Sequence, residues 1–222
     1  DGYLDFYIWP SYAEKGYLWM IPKCDGRANV GLVTEDKPRT KKALDEFIAN
    51  THFSDSEQAL PPWKEKGSPA FGGTIPISGP FERTHYDGLI LVGDAAGFTS
   101  PLFEGGSHLA LKSAVFAADT AAKAISEGDL TSKRLSEYTK LWKAEFPPYE
   151  KILKGKTALF DLSDDEMSVM ATCFPDEMSE MGITGKVMVG LRLLFRKPAL
   201  YFKKIVPAML AFGYSRAKYY GW

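Results

Sequence analysis

The sequence predicts an α+β fold: an antiparallel β-sheet region, then one strand–loop–helix unit, then a helical region. Three observations carry this. Residues 1–88 hold short aromatic and β-branched runs broken by Gly and Pro, the spacing of an antiparallel meander. Leu89-Ile-Leu-Val92 is a short apolar run that stops at Gly93-Asp94 and enters a Gly-rich loop. Residues 131–222 carry helical periodicity with capping signals. The chain is therefore divided at 1–88, 89–130 and 131–222.

In order, Tyr3-Leu-Asp-Phe-Tyr-Ile-Trp9 reads as a strand ending at Pro10. Tyr17-Leu-Trp-Met-Ile21 follows Gly16 and ends at Pro22, and Ala28 to Thr34 follows the turn-like Cys24-Asp-Gly-Arg27. Arg39 to Asn50 is an amphipathic helix with Ala43, Leu44, Phe47 and Ile48 on one face. Pro61-Pro62 and residues 67–73 are loop-like. Gly73-Thr-Ile-Pro-Ile77 reads as a short strand beside Leu89–Val92, itself expected to be fully buried.

A helix over about 106–126 comes next, stopped by Gly128-Asp129. Thr131 or Ser132 caps a further helix through Leu135, Tyr138, Leu141 and Trp142, and Pro147-Pro148 bends or breaks it. Helical pattern resumes from Tyr149 to Phe160. Ser163-Asp-Asp-Glu166 has the spacing of a capping box. Gly185–Phe195 and Ala199–Tyr214 complete the set, with Pro198 and Pro207 cutting the pattern into short helices.

Composition narrows the function classes. The 222 residues can bury a substantial core, and 45% hydrophobic with 25% charged residues is ordinary for a soluble globular protein. A net charge of -1 gives no basis for nucleic-acid binding. Cys24 and Cys173 are too few for a disulfide framework, a four-cysteine zinc site or an iron–sulfur cluster, and fit a reducing, cytoplasmic compartment. His52 and His85 lack ligand spacing, so no metal is expected. No secretory leader or apolar run of membrane-spanning length is evident. The chain opens on Asp1-Gly-Tyr, directly in strand-like sequence, and reads as a piece of something longer.

The chemistry concentrates at Gly93-Asp94. A buried acid where a strand stops needs a partner, because an unpaired buried carboxylate is costly. A hydroxyl-rich ligand lying across the strand end would be one. The glycines downstream, Gly105 and Gly106, let backbone approach such a ligand, and the following helix start offers unpaired N–H groups to an anion or a polarised carbonyl.

Leu91-Val-Gly-Asp-Ala-Ala-Gly97, then Ser100-Pro101, Gly105-Gly106 and a helix with Ala110, Ser113, Ala114, Ala117 and Ala118, resembles the second flavin-binding motif of the FAD-dependent reductases and monooxygenases related to p-hydroxybenzoate hydroxylase. Within that group the chain looks most like the geranylgeranyl reductase family. The family's tyrosine–x–tryptophan–x–phenylalanine–proline motif is matched by Tyr17-Leu-Trp19-Met-Ile21-Pro22, with Ile21 in place of Phe, followed by Asn29-Val-Gly31. Thr74-Ile-Pro-Ile-Ser-Gly79 is also similar to the family. The likeness is good over about 1–145 and loose beyond.

The resemblance implies an FAD-dependent enzyme that reduces carbon–carbon double bonds of isoprenoid, geranylgeranyl-type lipids, with 1–88 facing the substrate and 89–130 forming part of the FAD site. By the same likeness, Asp94 accepts from ribitol hydroxyls, and amides near Gly105, Gly106 and Ser107 point at the flavin N1–C2=O edge, where the helix dipole favours the reduced anion. Pro101 and Leu102 lie over one flavin face, and Tyr17, Trp19 and Pro22 belong to an apolar substrate cavity. No catalytic proton donor is named; His108 lies near the loop, but a lone helical histidine is read as structural.

Such flavoproteins begin with a Rossmann unit whose Gly-x-Gly-x-x-Gly turn holds the pyrophosphate. This chain carries no such fingerprint, so an N-terminal Rossmann portion is an expected partner, and the fragment alone is expected to be inactive. Nicotinamide and ferredoxin both remain open as electron donor. Basic residues among the apolar helices after Val187 raise peripheral contact with a membrane, against the alternative that these helices pack on the flavin domain. Two further readings stay open: an electron-transfer-flavoprotein-type dehydrogenase or quinone oxidoreductase, and a docking module derived from a flavoprotein.

Overall fold

Two glycines set the first sheet. A computed structural model describes residues 5–23, 27–50, 70–175 and 182–214, in two compact units. One unit draws on 1–72 and 160–178, the other on 73–159 and 179–222. In the first, β1 (Asp5–Tyr7), β2 (Tyr17–Pro22) and β3 (Ala28–Val33) form an antiparallel sheet in that order. Trp19 stands opposite Phe6 on one side and Gly31 on the other. A Cβ on Gly16 would lie 1.8 Å from the Val33 carbonyl oxygen, so only glycine permits β2 to begin there. Cys24 lies outside the described residues.

The Asp36 carboxylate caps a 3₁₀ turn, accepting from Arg39 N at 3.3 Å, and α1 (Thr40–Asn50) follows. Its expected apolar face does bury Ala43, Phe47 and Ile48; Phe47 and Ile48 pack with Ala13 and Leu18 of the sheet side.

In the second unit, β4 (His85–Tyr86) and β5 (Leu89–Ile90) form a hairpin. This corrects two expectations. Gly73–Ile77 forms no strand; β5 pairs instead with the residues just before it, through a two-residue Asp87-Gly88 turn in which Gly88 takes φ +67°. Nor is Leu89–Val92 a fully buried strand. It is two residues long, and Leu89 is 49% exposed, because a lone hairpin covers little of its surface.

Then come α2 (Ser107–Glu127), α3 (Ser132–Glu145) and α4 (Tyr149–Phe160). Gly128, at φ +69°, ends α2, and the Thr131 hydroxyl caps α3 by accepting from Arg134 N. Trp142 Nε1 donates to Thr84 Oγ1 at 2.9 Å, and Tyr138 Oη donates to the Leu91 carbonyl at 2.8 Å. Both bonds tie α3 to the segment that carries Gly93. Phe98 packs edge-on to Trp142 and Phe146, each at 5.0 Å.

In the first unit, α5 (Asp164–Ala171) starts with the expected box: Glu166 N donates to Ser163 Oγ at 3.2 Å and Ser163 N to Glu166 Oε2 at 3.0 Å. The second unit closes with α6 (Ile183–Arg196), a helical turn at Pro198–Leu200, a π-helical turn at Tyr201–Ile205 and α7 (Val206–Tyr214). Pro207 has no N–H and would crowd the carbonyl four residues back, which accounts for the widened turn ahead of it. Gly155 of α4 faces α7 so closely that a Cβ would lie 2.1 Å from that of Ala211.

Candidate functional site

The Gly93-Asp94 segment folds as a 3₁₀ turn, Gly93–Ala96, directly after extended Val92. Gly93 takes φ +54°, and its N–H donates to Ser113 Oγ at 3.1 Å. Ser113 in turn donates to the Ala110 carbonyl, so the turn is pinned to the first half of α2. A Cβ on Gly93 would stand 3.1 Å from the Ala110 methyl, which explains glycine here and alanine there. Gly97, at φ +76°, ends the turn, and a Cβ there would lie 2.3 Å from the Gly79 carbonyl oxygen.

Asp94 is exposed, contrary to the expectation of a buried acid at this strand end. Short β5 and the open side of the turn leave the carboxylate in water, where its charge costs nothing to keep. Oδ1 accepts from Thr99 Oγ1 at 3.1 Å, which orients the carboxylate. Gly106 lies beside it: a Cβ on Gly106 would sit 3.0 Å from Oδ1. Gly106 is also the N-cap of α2 and, having no side chain, leaves the first-turn amides without a side-chain cap. The structure thus brings an accessible carboxylate and an uncapped helix start together. That pairing suits a ligand with hydroxyls at one point and a polarised or anionic oxygen at another.

Residues 98–106 connect the two. Ser100 N donates to the Gly105 carbonyl at 3.0 Å and closes the loop on itself. Pro101 and Leu102 are fully buried, so the loop presents Gly105, Gly106 and exposed Ser107 toward the surface, and not those two side chains. Glu104 takes φ +50°, rare for a residue with a side chain. Its carboxylate pairs with Lys156 Nζ of α4 at 2.8 Å. Tyr149 of α4 has a buried hydroxyl with no hydrogen-bond partner among the described residues, and burial first, then the Glu104 charge, pushes its pKa up to about 12. His108 Nε2 is likewise buried without a partner among the described residues.

Sequence reading missed the Glu104–Lys156 pair. The residues lie 52 apart, and neither stands in a motif of its own. The one local signal was a glutamate interrupting an otherwise apolar and glycine-rich loop.

The tyrosine–tryptophan motif has its own geometry within the first unit. Tyr17 is buried, with its ring 5.5 Å from Phe6, 5.9 Å from Trp19 and stacked on Phe160 at 6.5 Å. Trp19 lies flat across Gly31, where a Cβ would come within 2.3 Å of Cζ2, and its Nε1 donates to Asn29 Oδ1 at 2.9 Å. The spacing Trp19…Asn29-Val-Gly31 is therefore one contact: asparagine holds the indole N–H and glycine makes room for the ring. Pro22 ends β2 opposite Ala28 and is exposed. Among the described residues, no group of His, Cys, Asp and Glu could hold a metal ion.

An α+β chain with a Gly-Asp turn feeding an uncapped helix, and an indole seated on glycine in a small antiparallel sheet, is similar to the geranylgeranyl reductase family. Residues 1–60 match the geranylgeranyl reductase catalytic domain. The chain is 39% identical to the digeranylgeranylglycerophospholipid reductase of Methanocaldococcus jannaschii over 209 residues, which cover 91% of this chain and 51% of that protein. It is 34% identical to digeranylgeranylglycerophospholipid reductase 2 of Methanothermobacter thermautotrophicus, across 89% of this chain and 49% of that one. Among solved structures it is similar to a geranylgeranyl bacteriochlorophyll reductase-like protein of Thermoplasma acidophilum, with TM-score 0.67 and 27% identity over 89% of this chain and 49% of the other. The chain spans about half the length of the curated relatives it matches.

Proposed function

We propose that the chain is part of an FAD-dependent reductase that saturates carbon–carbon double bonds in geranylgeranyl-type lipids. The observation that carries this reading is the placement of accessible Asp94 beside Gly106 at the uncapped start of α2. Asp94 would accept from the ribitol hydroxyls, held in orientation by Thr99. The amides from Gly105 to Ser107 would face the pyrimidine edge of the flavin, and the helix dipole there favours negative charge. Gly93 and Pro101 would act from within, as the backbone supports of the turn and the loop. Reduced flavin, when bound, supplies the hydride. Trp19 and Pro22 would meet the lipid chain, with buried Tyr17 backing the indole and Asn29 and Gly31 fixing it.

The relatives' names supply the substrate class, a digeranylgeranyl glycerophospholipid. An N-terminal Rossmann portion would complete the FAD site, and a nicotinamide or ferredoxin donor would reduce it. Peripheral membrane contact follows from the insolubility of such a lipid.

The test joins this chain to the N-terminal half of the M. jannaschii relative and supplies FAD, a reductant and geranylgeranyl glycerophospholipids. Mass spectrometry should find products heavier by two hydrogens for each bond saturated. If no double bond is lost across several prenyl lipids while flavin is bound and reduced, the substrate reading is wrong.

A further inference from the structure

A helix on the outside of a protein normally buries an apolar stripe and shows water a polar one. The α6 helix does not. Val189 and Leu193 are its buried positions, yet Ile183, Val187, Met188, Leu191 and Phe195 are 82%, 57%, 54%, 44% and 81% exposed. At about 100° per residue these five span an arc of roughly 140°, centred opposite Val189 and Leu193. The outermost face of α6 is thus its greasiest exposed one. Arg192 falls about 40° beyond one edge of that arc and Lys186 about 60° beyond the other, and both are exposed. From Gly182 to Tyr214 the chain has six basic residues (Lys186, Arg192, Arg196, Lys197, Lys203 and Lys204) and no acidic one. The following turn repeats the arrangement, with Phe202 exposed beside Lys203.

We infer that α6 is an in-plane lipid anchor: its outward apolar face enters the boundary of an anionic bilayer, and the flanking cations meet the lipid headgroups. An outward apolar arc bordered by cations is the pattern of a helix lying in a membrane interface. The absence of acids over 33 residues matches a negatively charged surface and adds attraction with each cation. The helix does not cross the membrane; among the described residues no helix is long and apolar enough. This deepens the membrane contact proposed above by naming its face and its charge. It rests on the lipid-substrate reading only for its purpose, since vesicle binding requires neither flavin nor turnover.

The test is sedimentation of the 222-residue chain with sucrose-loaded vesicles, either all phosphatidylcholine or half phosphatidylglycerol. The chain should pellet with the anionic vesicles and remain largely in the supernatant with the neutral ones. Ile183→Asp with Phe195→Asp should weaken pelleting by about tenfold or more, and so should Lys186→Glu with Arg192→Glu. All four positions are exposed, and circular dichroism of each variant checks that the helices persist. Equal pelleting of the Asp pair, or none with anionic lipid, overturns the inference. A chain that dimerises through this face, or that loses vesicle binding once the N-terminal half of the M. jannaschii relative is bound to it, also overturns it, in favour of a protein occupant.

Discussion

Lys156 Nζ stands 2.8 Å from Glu104 Oε1, and the two side chains are 5% and 2% exposed. The pair joins α4 to the loop between the Gly-Asp turn and the start of α2, at the residue whose backbone is held at φ +50°. A non-glycine residue in that region costs roughly 1–3 kcal/mol and persists only when its surroundings hold it there. Lys156 is the clamp.

Removing the clamp should therefore cost more than a surface ion pair would. Lys156→Met leaves the Glu104 carboxylate buried without its cation, and we expect a loss of about 3 kcal/mol in urea unfolding. Adding Glu104→Gln to it should recover much of that loss, because the stranded charge is gone. A double variant no more stable than Lys156→Met would show that the pair is not the source of the cost.

The indole seat makes a second prediction. Gly31→Ala drives a methyl into the Trp19 ring, with a starting separation of 2.3 Å, whereas Gly72 has nothing within 4 Å of its Cβ position among the described residues. Gly31→Ala should cost about 1–3 kcal/mol and alter the Trp19 contribution to fluorescence. Gly72→Ala should change stability by less than about 0.5 kcal/mol. Thermal melts of the two variants side by side check this.

Alkaline pH should loosen the second unit. Burial pushes the Tyr138 hydroxyl up to about 12, and burial with the Glu104 charge does the same for Tyr149. A folded pKa above the unfolded one means that the unfolded chain loses its proton first as pH rises. Between pH 10 and 12 the folded state then binds more protons, so stability falls across that window and is unaffected by these two groups below it. Urea unfolding at stepped pH reads the decline, and it should be smaller in Tyr138→Phe, which cannot ionise.

Much of this was legible in the sequence because the signals are local. The Ser163–Glu166 box, the Gly128 stop, the Thr131 cap and the buried face of α1 each depend on residues within a turn or two of one another. The Gly93-Asp94 turn and the Trp19…Gly31 spacing were legible as motifs, and the structure supplies their reasons: the Ala110 methyl against Gly93, the indole against Gly31. What escaped notice depends on chain brought back from a distance. Glu104 meets Lys156 across 52 residues. The Leu89 strand was expected beside Gly73–Ile77, but the Asp87-Gly88 turn offered a nearer partner with less chain to close. Apolar content alone also overestimated burial at Leu89 and at Asp94, where a two-residue strand leaves both open to water.

The central claim is that Asp94 holds the flavin. The most direct measurement is flavin absorbance of the chain joined to the N-terminal half of the M. jannaschii relative, titrated with FAD, for the unaltered chain and for Asp94→Ala. Loss of a charge-assisted hydrogen bond costs about 1.5–3 kcal/mol, so Asp94→Ala should weaken FAD binding by roughly 10- to 100-fold. Asp94 is exposed, so the fold should persist, and circular dichroism checks that loss of the Thr99 bond does not disturb it. Equal FAD occupancy in the two proteins would contradict the assignment of Asp94, and with it the reading of this turn as a flavin site.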